Sequence, residues 1–153
     1  MVFRPLVDSP TSISHNVAPM NIVFAVLADA ANVSREGKLN ILGNFANINA
    51  SEFPTRHPQM QLVLRMEASP AEVGMEKNIE VTMLDADGQR IAGFKADFTV
   101  PEPKTAGEEV QMQTILHLRD TVFPQPGRYG IHVLINGNEE ARVPLTLTLR
   151  DGE

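Results

Sequence analysis

The sequence predicts an all-β domain: an antiparallel β-sandwich of about eight short strands, immunoglobulin-like or jelly-roll-like. Three observations lead there. Apolar residues recur at every second position through most of the chain, the period of a half-buried strand. Two such runs meet at Asn136-Gly137 and two more at Asp87-Gly88, the strongest short-range hairpin signals a sequence offers. The remaining runs are short and separated by Gly, Pro, Asn and Asp, with little helical periodicity between them.

Residues 1–20 contain Pro5, Pro10 and Pro19 and no clean period, and read as an irregular N-terminal arm. The domain proper is expected over residues 21–150. Residues 21–28 are apolar on both faces, as in a strand central to its sheet. Residues 29–33 have the propensity for one helical turn. Residues 34–38 form a polar turn, with Gly37 supplying a positive φ. Leu39, Ile41 and Phe45 then alternate. Ile48 breaks their parity with Gly43 between, which suggests a bulge. Residues 51–58 are a loop around Phe53-Pro54 and His57-Pro58. Next, Leu62, Leu64, Met66 and Ala68 point inward, and Val63, Arg65 and Glu67 outward. Residues 69–77 connect, with room for one helical turn.

In the hairpin over residues 78–100, a two-residue Asp87-Gly88 loop pairs Met83 with Ala92, Val81 with Phe94 and Ile79 with Ala96. Residues 101–107 are a stiff, polar crossing. Val110, Met112, Thr114, Leu116 and Leu118 then face in; Gln111, Gln113, His117 and Arg119 face out. The last hairpin sets Tyr129, Ile131, Val133 and Ile135 against Ala141, Val143, Leu145, Leu147 and Leu149. A two-residue Asn136-Gly137 turn would put Val133 opposite Glu140. Looping out Asn136, Gly137 and Asn138 pairs Val133 with Ala141 and Ile131 with Val143, so a loop of odd length is expected. Tyr129 follows Pro126-Gly127-Arg128, the setting in which immunoglobulin-like sandwiches bond a Tyr hydroxyl to nearby backbone.

Composition narrows the function. The 153 residues amount to about one domain. With no Cys, disulfides, thiolate chemistry and Cys-based zinc sites are excluded. Net charge is −6 with no basic run, and one Tyr and no Trp are present for base stacking, so a nucleic-acid role is not expected. The apolar run at residues 22–28 is too short to span a bilayer, and the N-terminus lacks the apolar core of a secretory signal. The expected setting is the cytoplasm, or a virion or other assembly built there.

The segments FAVLADAANVSREGKLNILGNFANINA, FPTRHPQMQLVLRMEASPAE and FPQPGRYGIHVLINGNEEARVPL resemble a family of small, uncharacterised bacterial and phage-associated proteins. The resemblance spans about residues 21–147. It implies a compact antiparallel β domain and transfers no functional residues.

No catalytic or cofactor motif emerges. Asp85-Ala86-Asp87-Gly88 opens like a calcium loop, but position twelve is Ala96 where a Glu ligand is needed, so it reads as a turn. His15, His57, His117 and His132 lack metal-ligand spacing. His117 and His132 point outward on strands that could be neighbours and so share a metal or a proton, although solvated surface histidines fit better, since nothing fixes a third ligand. Glu108-Glu109 and Glu139-Glu140 are adjacent on extended chain, so each pair diverges. No Gly-x-Ser-x-Gly elbow or phosphate-cradling loop occurs. Phe53 and Phe123 sit in loops, where they either plug the core or touch a ligand. Arg119, Arg128 and Arg142 are candidates for an anion patch, or are solvated.

The expectation is a non-enzymatic module acting through protein contact, with itself or within a larger assembly, without cofactor, nucleic acid or membrane. The alternative is a small-ligand or carbohydrate-binding module using the Phe53/His57 and Phe123 loops. Phe53, His57, Phe123, Arg128, His117 and His132 are the candidate contact residues.

Overall fold

The computed structural model describes residues 20–151, so the reading of residues 1–20 as an arm lies outside the described residues except for Met20, which is buried in the core. Nine strands follow in order: β1 (Asn21–Val33), β2 (Leu39–Asn44), β3 (Asn47–Ala50), β4 (Thr55–Ala68), β5 (Glu76–Leu84), β6 (Arg90–Thr99), β7 (Val110–Phe123), β8 (Gly127–Ile135) and β9 (Asn138–Leu149). They form two sheets, β2-β1-β4-β7 and β3-β9-β8-β5-β6. All pairings are antiparallel except β3 with β9, which is parallel. The domain is therefore an all-β sandwich as expected, with one parallel edge that strand periodicity does not announce.

The core lies between the sheets. Leu27, Met60, Leu62, Leu64 and Met66 from the first sheet meet Val81, Met83, Ile131, Val133 and Leu145 from the second, all nearly inaccessible to solvent. Each such side chain contributes about 1.5–3 kcal/mol on burial. A one-residue slip of any strand would turn its whole row to water, so register is strongly specified.

Both hairpins keep the expected pairs by a different route from the one expected. Val133 is opposite Ala141 and Ile131 opposite Val143. The turn itself is the two-residue Asn136-Gly137 loop, both residues at positive φ, with Ile135 opposite Asn138. The extra residue is absorbed one step later, by a bulge between Leu134–Glu139 and Val133–Ala141. In the other hairpin Met83, Val81 and Ile79 do face Ala92, Phe94 and Ala96. Here the loop is longer than the expected dipeptide: Asp85 N–H donates to the Gln89 carbonyl, and a bulge follows before Met83–Ala92. The Asp85 carboxylate accepts from the N–H groups of Asp87 and Gln89 at 2.9 and 2.8 Å, so it shapes the turn.

Two expectations for the first strands are corrected. Residues 29–33 continue β1 as strand, because β2 pairs with them from Ala30–Leu42 to Val33–Leu39. Ile48 breaks parity because the chain changes sheets, not through a bulge: the β1–β2 register is constant, β2 ends at Asn44, and Ile48 belongs to β3 in the other sheet. A further parity change lies in the β4–β7 ladder. Asp120, at φ 53, falls opposite Pro58. Below it Thr121 and Phe123 are buried, while above it the even-numbered residues of β7 face in; both strands switch face together.

Outward-facing Val63 of β4 is also inaccessible to solvent. It is flanked in register by Val26 of β1 and Ile115 of β7, so the outer face of this central strand carries an apolar row of its own. Among the described residues no helix is long and apolar enough to cross a membrane. The predicted helical turn in the β4–β5 connection is a single 3-10 turn, Pro70–Glu72. The Glu72 carboxylate is buried and accepts from Lys77 Nζ at 2.6 Å, Met20 N–H at 3.1 Å and Ser69 N–H at 3.0 Å. It ties the start of β1, the turn and the start of β5 into one knot.

A buried ion pair that loses one partner leaves an uncompensated charge, which costs about 3–5 kcal/mol. Glu72→Ala orphans the ammonium and two backbone donors together. It should therefore destabilise the domain by about that amount, and by more than Lys77→Met, which leaves the carboxylate its two N–H donors. Urea denaturation of the two variants checks the order.

Candidate functional site

The two sheets do not close on each other at one side. β7 ends the first sheet and β6 ends the second, and a groove runs between them. Its larger part holds about 470 Å³ and is lined by Met66, Ile79, Phe98, Pro101, Met112 and Leu116 among others. A smaller part of about 160 Å³ continues past Val81, Met83, Phe94 and Leu118. Core side chains thus form the floor of a surface feature.

The strands bordering the sheets differ in how they end them. β2 has 6 residues and β3 has 4, too short to template a long partner. β6 places Arg90, Lys95 and Asp97 along its length, the charged protection usual for an edge. β7 has 14 residues and no charged side chain from Val110 to Leu116. No strand among the described residues pairs with its outer edge, so a long row of backbone donors and acceptors is free.

The residues singled out from sequence fall into separate groups. Phe123 is fully buried, its ring edge-on to Tyr129 at a centroid distance of 5.1 Å, so it plugs the core. The Tyr129 hydroxyl donates to the Gln125 carbonyl at 2.6 Å, the expected corner. Phe53 is half-buried against the core and precedes a cis peptide bond to Pro54. His57 is half-buried, with the Phe45 ring at 6.1 Å. Burial holds its imidazole below the ordinary value, against an opposing pull from Asp29.

His117 and His132 are not on neighbouring strands. His117 lies on β7 in the first sheet, its Nδ1 3.3 Å from Gln61 Nε2; His132 lies on β8 in the second. Strand order, which alternation does not encode, separates them. His132 Nδ1 sits 2.7 Å from Glu139 Oε1, and Arg142 donates to Glu139 Oε2 at 3.1 Å. The hydrogen bond from His132 is the chief reason the Glu139 carboxyl lies below its ordinary value. The proposed arginine patch also divides: Arg119 is on the first sheet, Arg128 and Arg142 on the second, and Arg142 is paired. The groove and the bare edge went unforeseen because both depend on which strands end up outermost. The uncharged run from Val110 to Leu116 was their only trace in the sequence.

The chain is a member of a family of unknown function, DUF6941, which it matches over residues 23–148. No curated protein matches it in sequence. Among solved structures it is similar to a Pseudomonas fluorescens alkylpurine DNA glycosylase AlkC bound to DNA containing an abasic site analog. Identity there is 20%, TM-score 0.50, over 86% of this chain and 31% of that one. It also resembles an immunoglobulin-like protein from Pseudomonas aeruginosa, at 14% identity and TM-score 0.44, covering 85% of this chain and 97% of the other. The DUF6941 chain therefore spans about a third of the length of the glycosylase, and these identities speak to the fold alone.

Two titrations follow from the geometry. A carboxyl held low in the fold contributes stability above its unfolded value, about 4.5, and loses it as pH falls through the lower folded value. Glu139→Gln should lower the melting temperature at pH 7, and the difference from wild type should vanish in strong acid. His57 has the same sign for a different reason, since burial disfavours its charged form: below about 6.5 the unfolded chain binds the proton first, so native stability falls as pH falls. In thermal melts, His57→Gln should lose less stability than wild type as pH falls from above to below the ordinary imidazole value of about 6.5.

Proposed function

We propose that this DUF6941 domain is a non-catalytic protein–protein interaction module, acting as a subunit of a larger assembly, that receives an extended segment along β7. The observation that carries the reading is the long uncharged edge of β7 above a groove floored by core side chains. An incoming strand would complete the free backbone hydrogen bonds, and alternate side chains would enter the groove.

The remaining chemistry of the fold is compatible with that role. Glu72 and Lys77 are spent on each other inside the domain, and Glu139 is shared between His132 and Arg142. The ligand-binding alternative loses Phe123, which is buried. A net charge of −6 favours protein over nucleic acid as the partner, and nothing of the glycosylase's DNA is carried over.

Selection of displayed random peptides on the immobilised full chain tests the reading. Peptides that alternate apolar and polar residues should be enriched, and should bind an Ile115→Lys variant at least about tenfold more weakly. Failure to enrich any peptide, or binding indifferent to that substitution, overturns it.

A further inference from the structure

We infer that the segment received by β7 is the β7 of a second copy, running antiparallel about a two-fold axis at Ile115, so that two four-stranded sheets join as one. This rests on the strand-addition reading above and names its partner. Three features of β7 lead to it.

The first is the distribution of charge. Glu108 and Glu109 precede the strand; Arg119 stands on its outer face near the other end, where Asp120 is paired with Arg56 of β4 at 3.6 Å; and the stretch from Val110 to Leu116 is uncharged. An antiparallel copy brings the acidic end of each strand onto the basic end of the other. A parallel copy would stack like on like, which is unfavourable directly across a ladder. A foreign strand would need this polarity built in; a second copy has it by symmetry.

The second is register. With Ile115 opposite its own symmetry mate, Gln113 meets His117 and Gln111 meets Arg119. Glu109 then lies diagonally beside Arg119, and no like charges face each other. The third is the apolar row Val26–Val63–Ile115 on the outer face, which stops at the edge of β7. In the joined sheet the same row resumes on the other copy, with Ile115 against Ile115. Slipping the register by two residues to either side opens this row and sets a polar residue against it.

The chain contains no cysteine, so a single introduced one reports its own symmetry mate and nothing else. Opposite residues of an antiparallel pair stand about 4.5–5.5 Å apart at Cα, within disulfide reach. Residues two positions off the axis are separated from their mates by about 13 Å along the strand and are not. Full-length Ile115→Cys should therefore cross-link to a dimer under mild oxidation, and Gln113→Cys should not. Sedimentation of the wild type from about 1 to 100 μM should show a dimer, and Ile115→Lys should be monomeric over that range with unchanged circular dichroism.

A wild type that stays monomeric throughout overturns the inference. So does a dimer that Ile115→Lys leaves intact, or equal cross-linking at both positions. If the chain is monomeric and yet selected peptides bind at β7, self-pairing fails while the interaction-module reading stands. If neither occurs, both fail.

Discussion

Facing rows of alternate side chains make the core, and the irregularities of the chain serve to keep those rows aligned. Both hairpins carry one residue more than a simple ladder allows, and both dispose of it in a bulge beside the turn. The β4–β7 ladder instead reverses face across Pro58 and Asp120, so that Phe123 and Thr121 can be buried below the row begun by Leu118 and Leu116. Pro58 has no N–H to donate, which makes that step of the ladder the natural one to surrender. Local backbone regularity gives way wherever keeping it would turn an apolar row into water.

The pairs that define the hairpins were readable because burial parity is a property of the residues themselves: Val133 belongs opposite Ala141 whatever the loop does. The loops were misassigned because parity counts only odd or even. A three-residue loop and a two-residue loop with a bulge satisfy it equally, and only φ at Asn136 and Gly137 tells them apart. Ile48 shows the same ambiguity at larger scale. A parity break looks alike whether the strand bulges or the chain leaves for the opposite sheet. Likewise His117 and His132 were both correctly outward, yet outward on different sheets. Alternation gives a residue its face and is silent about its neighbours.

That silence covers the groove and the strand edge as well. Met66, Ile79 and Leu116 read as ordinary core residues; the first two are buried and Leu116 packs against them half-buried, and they become the floor of a surface only because β6 and β7 both finish their sheets on the same side. Charge was the more informative signal. Strands that end a sheet commonly carry Lys or stay short, and β6, β2 and β3 do one or the other. The blank stretch of β7 stands out against them, with Glu108 and Glu109 before it and Arg119 after it.

The parallel contact of β3 with β9 bears on how the domain is made. β9 is the last of the described strands and lies between β3 and β8 in the second sheet. A chain emerging from the ribosome can assemble β1, β2, β4 and β7 early, but β3 waits beside an empty place until almost the whole domain has been synthesised. Until then the inner face of the first sheet has only part of its cover, and pairing over so long a sequence separation is slow. Completion is thus reserved for β9, and a nascent chain halted just short of that strand is the form most in need of a chaperone.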